Sequence, residues 1–342
     1  MKSTFGGKRI LVTGGTGSIG AGLVEALLRA KPKQIRIFSR DDSKQFECRS
    51  TLPENAPVNF LLGDVRDRDR LFRAMENIEI VFHAAALKHV GACERNPFEA
   101  VHTNVIGTQN VIDTALERNV ERVVVISTDK AASPTNVMGT TKLLAEKLVL
   151  ASFFYKGNKK TKLCAVRFGN VLWSRGSVTP LFLSQMKRKE PLTVTDPNMT
   201  RFFMTIPQAV SLVLKAAELT EDREVFVLKM PVLKVGELAR AILECGIEKE
   251  IITKTLPITV TGKRDGDRLH EKLLTEDESL GALETKDMFI IQPNLSFSPA
   301  HPAPHRYKGA RPAPEGAYAS DKQKLLSKEE IKKLLLESWP RL

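Results

Sequence analysis

Ser127-Thr128-Asp129-Lys130 sets a hydroxyl, a carboxyl and an amine on consecutive residues directly after an apolar run, Arg122-Val123-Val124-Val125-Ile126. A second amine, Lys142, follows on a stretch with helical character, and Met138 stands four residues before it. Groups of these types beside one another can move protons to and from a bound substrate. A thioether has no proton to give. Met138 is therefore excluded as acid or base, Asp129 and Lys130 become the titratable candidates, and Thr128 is a hydroxyl able to relay. Adjacent Asp and Lys are by themselves more often a solvated ion pair than a catalytic one. Their place at a strand end, with Met138 and Lys142 close behind, favours catalysis.

Those groups need a partner that binds near them. Gly14, Gly17 and Gly20 stand between the strand Arg9-Ile10-Leu11-Val12-Thr13 and an amphipathic helix that runs through Leu28. Glycine allows a tight turn there and lets the backbone N–H groups of Thr16, Gly17, Ser18 and Ile19 approach a pyrophosphate at the helix N-terminus. In this strand-loop-helix setting the spacing predicts a dinucleotide site. At the tip of the second strand an acidic residue would select NAD, but the chain has Ser39-Arg40-Asp41 with Lys44 one turn on. Arg40 can fork onto a 2′-phosphate and Ser39 can donate to it, which predicts NADP. The competing reading makes Arg40 a surface residue and gives Asp41 the ribose hydroxyls of NAD. Asp64-Val65 suits the adenine, Ala84-Ala85-Ala86 lets the chain pass close to the cofactor, and Lys142 is expected over the nicotinamide ribose.

The elements that hold these residues follow from periodicity. Apolar runs at Ile35–Arg40, Val58–Leu62, Ile80–Ala86, Arg122–Ser127 and Leu163–Arg167 alternate with helical stretches at Asp67–Met75, Ala100–Arg118 and Gly139–Phe154. Apolar strands separated by helices predict an α/β fold with a doubly wound parallel Rossmann sheet buried on both faces. Beyond Gly169 the pattern loosens, which predicts a smaller, mixed α/β substrate domain. The expected division is 1–170 with 203–230 for the cofactor, 171–202 with 231–316 for the substrate, and 317–342 as a tail. Pro293–Pro314 reads as an irregular crossing segment. Ser327 with Glu330 reads as the capped start of a last helix.

The chain has 342 residues, 42% hydrophobic and 27% charged, the range of a globular enzyme. No apolar run approaches the about 20 residues of a membrane span. The first residues lead into a strand rather than a signal peptide, so the expectation is a cytoplasmic protein. Cys48, Cys93, Cys164 and Cys245 are scattered and read as buried hydrophobes rather than disulfides or ligands. No His/Cys/carboxylate grouping suggests a metal, and His83 and His89 read as packed loop residues. The formal charge of +12 is spread along the chain, so it suits anionic nucleotides better than nucleic acid.

The chain resembles the soluble UDP-N-acetylglucosamine 4,6-dehydratases, extended members of the short-chain dehydrogenase/reductase superfamily. The matching stretches run from Thr13–Gly20 through Ser39-Arg40-Asp41, His83–Val90, Asn96–Glu99, Thr103-Asn104-Val105 and Ser127–Lys130. They continue at Arg167–Val171, Arg175–Val178 and Thr200–Met204. Ordinary relatives carry Tyr-x-x-x-Lys where this chain has Met138 and Lys142. The Met form resembles the capsule-type branch that inverts C5, although retaining dehydratases also carry methionine. Gly266–Glu271 and the tail around Ala317–Asp321 are similar to that branch, with Asp267 and Arg268 departing from its usual Gly-Glu-Lys-Leu segment.

The resemblance implies an internal redox cycle on UDP-N-acetylglucosamine: oxidation at C4, loss of the C5 proton to Lys130, loss of the C6 hydroxyl with help from Asp129, and reduction at C6. The C4 hydroxyl proton could pass to Thr128, to Asp129 or to water on Lys142. It also implies that Asn170 and Arg201 bind the UDP diphosphate, with Arg175 and Arg264 as further cations. Glu271 is then expected at the uridine ribose, with Ser177 and Lys88 near the sugar. Symmetric homo-oligomers are expected. The alternatives are a retaining dehydratase, a UDP-sugar 4-epimerase, an NADP-binding regulator without turnover and, last, a nucleic-acid binder.

Overall fold

The computed structural model describes residues 4–264, 266–293 and 307–340. Along the chain the first half reads β1 (Arg9–Thr13), α1 (Ser18–Arg29), β2 (Gln34–Ser39), α2 (Asp42–Ser50), β3 (Val58–Leu62), α3 (Arg68–Ala74), β4 (Ile80–His83), α4 (Val90–Arg95) and α5 (Pro97–Val101). A π-helical turn (His102–Ile106), α6 (Gly107–Glu117), β5 (Arg122–Ile126), a 3₁₀ turn (Asp129–Ala131), α7 (Val137–Leu150) and β6 (Lys162–Arg167) complete it. The second half continues with β7 (Asn170–Val171), α8 (Val178–Lys187), β8 (Leu192–Val194), β9 (Thr200–Met204), α9 (Ile206–Leu219), β10 (Glu224–Leu228), β11 (Val232–Lys234) and α10 (Val235–Glu248). Then come β12 (Ile258–Val260), β13 (Lys272–Leu274), α11 (Glu276–Ser279), β14 (Ala282–Glu284), β15 (Met288–Ile291), β16 (Arg311–Pro312), β17 (Tyr318–Ala319) and α12 (Lys328–Glu337).

Strands such as Val123-Val124-Val125 are apolar at every position because helices cover both faces of their sheet. The spatial order is β3-β2-β1-β4-β5-β6-β10, all parallel. Strand order reverses between β1 and β4, and such a switch point opens a crevice at the carboxyl ends of the strands. The fold is the doubly wound α/β sheet that the periodicity predicts. Thr205 and Gln208 form a reciprocal cap at the start of α9, which packs on α1, β5 and β6.

One boundary differs from expectation. Residues 231–316 were expected on the substrate side, yet β15 pairs antiparallel with β10, β14 with β15 and β16 with β14. Met288-Phe289-Ile290-Ile291 is buried throughout, and the open edge of β10 gives that run a hydrogen-bonded place to be buried. Of the expected crossing segment, residues 294–306 lie outside the described residues. The expected helix from Ala100 is three pieces, with the π turn between α5 and α6.

A second core gathers Phe182 and Met186 of α8, Leu238 and Ile242 of α10, and Ile331 and Leu335 of α12. The tail closes onto it: Ser327 and Glu330 cap α12 reciprocally, Trp173 meets Trp339 edge-on at 4.8 Å, and β17 pairs with β13.

Arg167, 1% exposed, ties the two halves together. Its guanidinium donates to both Glu146 carboxylate oxygens on α7 (3.0 and 2.5 Å), to both of Glu278 on α11 (2.8 Å each) and to the Leu273 carbonyl (2.9 Å). Removing one partner of such a buried group strands the other's charge, a loss of about 3–5 kcal/mol, whereas removing both partners with apolar replacements is far milder. Arg167→Leu should therefore lower the urea midpoint strongly, and adding Glu146→Leu should restore part of it. A double variant no better than Arg167→Leu would show that stranded charge is not the cause.

Candidate active site

The crevice at the switch point is a cavity of about 690 Å³ whose wall runs from Arg40 and Lys44 at one end to Lys130 and Met138 at the other. Its floor is the turn after β1. Gly14 has φ +65°, and a Cβ there would lie 2.7 Å from the Ala85 nitrogen; at Gly20 it would lie 2.3 Å from the Gly14 carbonyl. The loop thus packs backbone to backbone against Ala84-Ala85, which leaves Thr16, Gly17, Ser18 and Ile19 at the head of α1 facing the cavity. The buried hydroxyls of Ser127 and Ser177 line the same space and have no hydrogen-bond partner among the described residues. A cradle that only glycine permits, facing unsatisfied hydroxyls, fits a bound dinucleotide.

At the adenosine end, Ser39, Arg40, Lys44, Asp64 and Val65 all line the cavity. Asp41 caps α2: Oδ1 accepts from the Lys44 N–H at 2.9 Å and Oδ2 pairs with the Lys44 ammonium. The Lys44 contacts hold its carboxyl below the usual range. Arg40 is half exposed and reaches only Asp64, at 3.4 Å. The Asp64 carboxylate, expected near the adenine, is held by Arg66, whose N–H donates to Oδ1 (2.9 Å) and whose Nε and Nη2 donate to Oδ2 (3.0 and 2.7 Å). Burial alone would raise the Asp64 pKa; Arg66 overrides it and holds it low.

At the opposite end, the 3₁₀ turn after β5 divides the predicted catalytic residues. Thr128 and Lys130 line the cavity, whereas Asp129 is fully buried behind them. Of the group Ser127–Lys130 expected to act at the strand end, Asp129 alone does not line the crevice. The tight turn directs the Asp129 side chain inward, where Oδ1 accepts from Thr128 Oγ1 (2.8 Å) and Lys130 Nζ (3.0 Å). Asp129 Oδ2 is buried and accepts no hydrogen bond among the described residues. α7 starts against this turn, capped by the Asn136 side chain on the Gly139 N–H at 2.8 Å. A Cβ at Gly139 would lie 2.3 Å from the Lys130 carbonyl, so glycine sets how closely helix and turn pack.

Met138 is 5% exposed, packs with Cys93 and Ala100, and forms cavity wall. Lys142 also lines the cavity and makes no hydrogen bond among the described residues. Burial brings its pKa down to about 8, with Glu146 one turn along opposing the shift. His83 is buried between the Thr13 (2.7 Å) and Thr108 (3.1 Å) hydroxyls. Burial and the Lys142 charge push it down to about 3, so it is a neutral core residue.

The residues expected to bind substrate separate into two groups. Lys88, Asn170, Arg175 and Ser177 line the cavity. The Arg175 N–H donates to Ser18 Oγ at 2.9 Å, and Lys88 donates to the Arg175 carbonyl, so the 174–177 loop arches over the head of α1. Arg201, Arg264 and Glu271 do not line it. Arg201, 8% exposed, donates to the carbonyls of Thr200 (2.8 Å), Leu269 (3.1 Å) and Arg268 (2.7 Å) and braces that segment instead of meeting a diphosphate. Arg264 is exposed, its N–H on Asp267. Glu271, 4% exposed, faces Lys130 at 3.7 Å and Arg201 at 3.8 Å and lies behind Lys130, away from the cavity where a ribose was expected.

Thr103 was not singled out from the sequence. It lies on the π turn, lines the cavity and has a buried hydroxyl without a partner. Beside it, Asn104 brackets the Leu87 backbone, accepting from its N–H (2.8 Å) and donating to its carbonyl (2.9 Å). In the sequence this turn is marked only by Thr103-Asn104-Val105, one of the stretches that carry the resemblance.

The lowered Lys142 pKa has a measurable consequence. Between about 8 and its ordinary value of 10.5 the unfolded chain holds a proton that the folded protein lacks, so Lys142 destabilises the fold below pH 8 and the penalty fades as pH rises. Lys142→Met should stabilise the free protein at pH 7 by up to roughly 3 kcal/mol, at about 1.36 kcal/mol per pKa unit. The advantage should shrink by pH 10 in urea unfolding. A gap that does not change with pH would refute the assignment.

The comparisons agree with this geometry. The family described as polysaccharide biosynthesis protein matches residues 10–293. An uncharacterized membrane protein of Methanocaldococcus jannaschii is 47% identical over 335 residues, 96% of each chain. Among the described residues of this chain, no helix is long and apolar enough to cross a membrane. A UDP-glucose 4-epimerase of Rickettsia rickettsii is 40% identical, covering 97% of this chain and 96% of its own. An inverting UDP-N-acetylglucosamine 4,6-dehydratase of Campylobacter jejuni is 40% identical, covering 86% and 85%. The X-ray structure of Pen from Bacillus thuringiensis superposes with a TM-score of 0.90 at 43% identity over 99% of both chains. The chain belongs to the polysaccharide biosynthesis protein family, alongside nucleotide-sugar dehydratases and epimerases.

Proposed function

We propose that this protein is a UDP-N-acetylglucosamine 4,6-dehydratase that uses NADP and inverts C5. The observation that carries the reading is the Thr128–Asp129–Lys130 chain of hydrogen bonds at the cavity wall, next to a methionine where a proton donor would otherwise stand. A plain oxidoreductase needs one group to trade a proton with a hydroxyl. Elimination of water also needs a base for a carbon acid and an acid for the leaving hydroxyl, and this site offers a second amine and a carboxyl for those tasks.

When bound, the dinucleotide supplies the hydride acceptor at C4 and the hydride donor at C6. The rest of the work falls to the chain. Thr128, bonded to Asp129, passes the C4 hydroxyl proton to that carboxylate. Asp129 returns the proton through the same hydroxyl to the departing C6 oxygen, so one carboxyl serves both events and ends as it began. In the structure Lys130 is an ammonium: burial works against its charge, but Asp129 and Glu271 outweigh burial and raise its pKa. Protonation of Asp129 removes one of the two carboxylate charges that hold it, and Lys130 then releases its ammonium proton to water. As the free amine it takes the C5 proton that the C4 ketone has acidified; when C6 is reduced, a solvent proton reaches C5 from the opposite face, which inverts that carbon, and the proton on Lys130 restores the ammonium.

NADP is preferred because the Asp41 carboxylate is committed to capping α2, while Arg40 stands half exposed at the cavity rim with Lys44 beside it. A UDP-sugar 4-epimerase is the second reading, favoured by the Rickettsia relatives of that name. It shares the C4 oxidation and omits elimination.

Incubation of the purified protein with UDP-N-acetylglucosamine and NADP in deuterated water separates them. The dehydratase gives a 4-keto-6-deoxy product lighter by one water and labelled at C5, with its configuration read by NMR; an epimer of unchanged mass means the second reading. Lys130→Ala should abolish C5 labelling, a loss on the order of 10²–10⁴-fold in rate for a general base, and full dehydration by that variant would remove Lys130 from the mechanism. Arg40→Ala should weaken NADP binding and leave NAD binding unchanged in calorimetry. Equal wild-type affinities for the two would overturn the cofactor assignment.

A further inference from the structure

Lys130 has a second carboxylate that the mechanism above does not use. Its Nζ lies 3.0 Å from Asp129 Oδ1 and 3.7 Å from Glu271 Oε1, so the ammonium is suspended between the end of β5 and the segment that leads into β13. Glu271 is almost completely buried. Its own N–H donates to Ser320 Oγ at 2.9 Å, and its carbonyl accepts from the Ser320 N–H at 2.8 Å. Ser320 Oγ in turn meets Thr200 Oγ1 at 2.7 Å, and Thr200 Oγ1 meets His270 Nδ1 at 2.8 Å. Arg201 clamps the carbonyls of Arg268 and Leu269 just before it. A carboxylate buried this deeply, with its backbone fixed from both sides, is held at one place relative to Lys130.

We propose that Glu271 is a positioning residue for proton abstraction: with Asp129 it holds the Lys130 side chain taut across the site, and its charge sets the pH at which Lys130 becomes a base. The inference rests on Lys130 being the base in the proposed dehydration. The charged groups that face this pair are Asp129 from the 3₁₀ turn, Arg201 from β9, and Arg268 with the neighbouring His270 from the approach to β13. Asp129 and Glu271 are like charges in one site, and burial together with Asp129 moves the Glu271 pKa up while Lys130, Arg201 and Arg268 oppose the shift. Glu271 and Lys130 therefore titrate as a linked pair, and removing the charge of one moves the other.

Glu271 acts through Lys130 and touches neither cavity nor substrate, which gives it a distinctive signature. Glu271→Gln keeps the shape and removes the charge. The ammonium then loses one of its two partners, so the limb of the kcat/KM profile that reports Lys130 deprotonation should shift to lower pH by about one unit, the order expected for losing one close charge. Glu271→Asp draws the carboxylate back by one methylene and should shift the limb in the same direction by less; it decides the matter if the glutamine variant fails to fold. A limb unmoved in a folded variant, with rate alone reduced, would mean that Glu271 only braces the backbone. Absence of dehydration in the wild-type enzyme would instead overturn the proposed function, so the two failures are distinct.

Discussion

The arrangement on which everything else rests is one ammonium held between two carboxylates from opposite halves of the chain. Asp129 belongs to the turn after β5; Glu271 belongs to a segment well over a hundred residues further on, pinned by the tail at Ser320. A buried ion pair of this kind contributes little net stability, because desolvation offsets the attraction. Its value lies in position and protonation. Lys130 is drawn toward both Asp129 and Glu271, and the two carboxylates raise its pKa against burial.

The surrounding fold can be understood as what that arrangement requires. The switch point between β1 and β4 opens the crevice, the glycine turn keeps its floor packed close against Ala84-Ala85, and Gly139 lets α7 begin in contact with the Lys130 carbonyl. α7 then carries Lys142 into the cavity and, one turn later, places Glu146 on Arg167. Arg167 reaches on to Glu278 and Leu273, close after Glu271 in sequence. The same helix thus positions an active-site amine and is bolted to the segment that bears the second carboxylate. The C-terminal tail participates as well, since Ser320 and β17 hold the 270–274 stretch in place.

Sequence made the local parts legible. Apolar runs at strand length separated by helical stretches specify the parallel sheet, and glycines at a strand-helix junction specify the nucleotide turn, because both signals live within a few residues of one another. The cap at Ser327 is legible for the same reason. What could not be read is which distant groups face each other. Asp129 looks like a cavity residue until the 3₁₀ turn is seen to bury it. Arg201 looks like a diphosphate ligand until three backbone carbonyls are found to occupy its guanidinium. Met288–Ile291 looks like the smaller domain's core until it pairs with β10. In each case the deciding partner lies far off in sequence, and a side chain's type records what it can bind without recording what it does bind.

The presence of Met138 at the cavity wall gains meaning from this. A tyrosine at that place would bring its own ionisable hydroxyl next to Lys142, whose pKa is already brought down to about 8 by burial. Met138 packs against Cys93 and Ala100 and leaves that wall apolar, which keeps Lys142 desolvated and leaves Thr128 as the hydroxyl with a direct bond to a carboxylate. In the proposed reaction the proton passes from the cavity through Thr128 to Asp129, whose Oδ2 has no hydrogen-bond partner among the described residues. Elimination suits such a route, because the proton accepted from one oxygen of the sugar is the proton that another oxygen needs in order to leave.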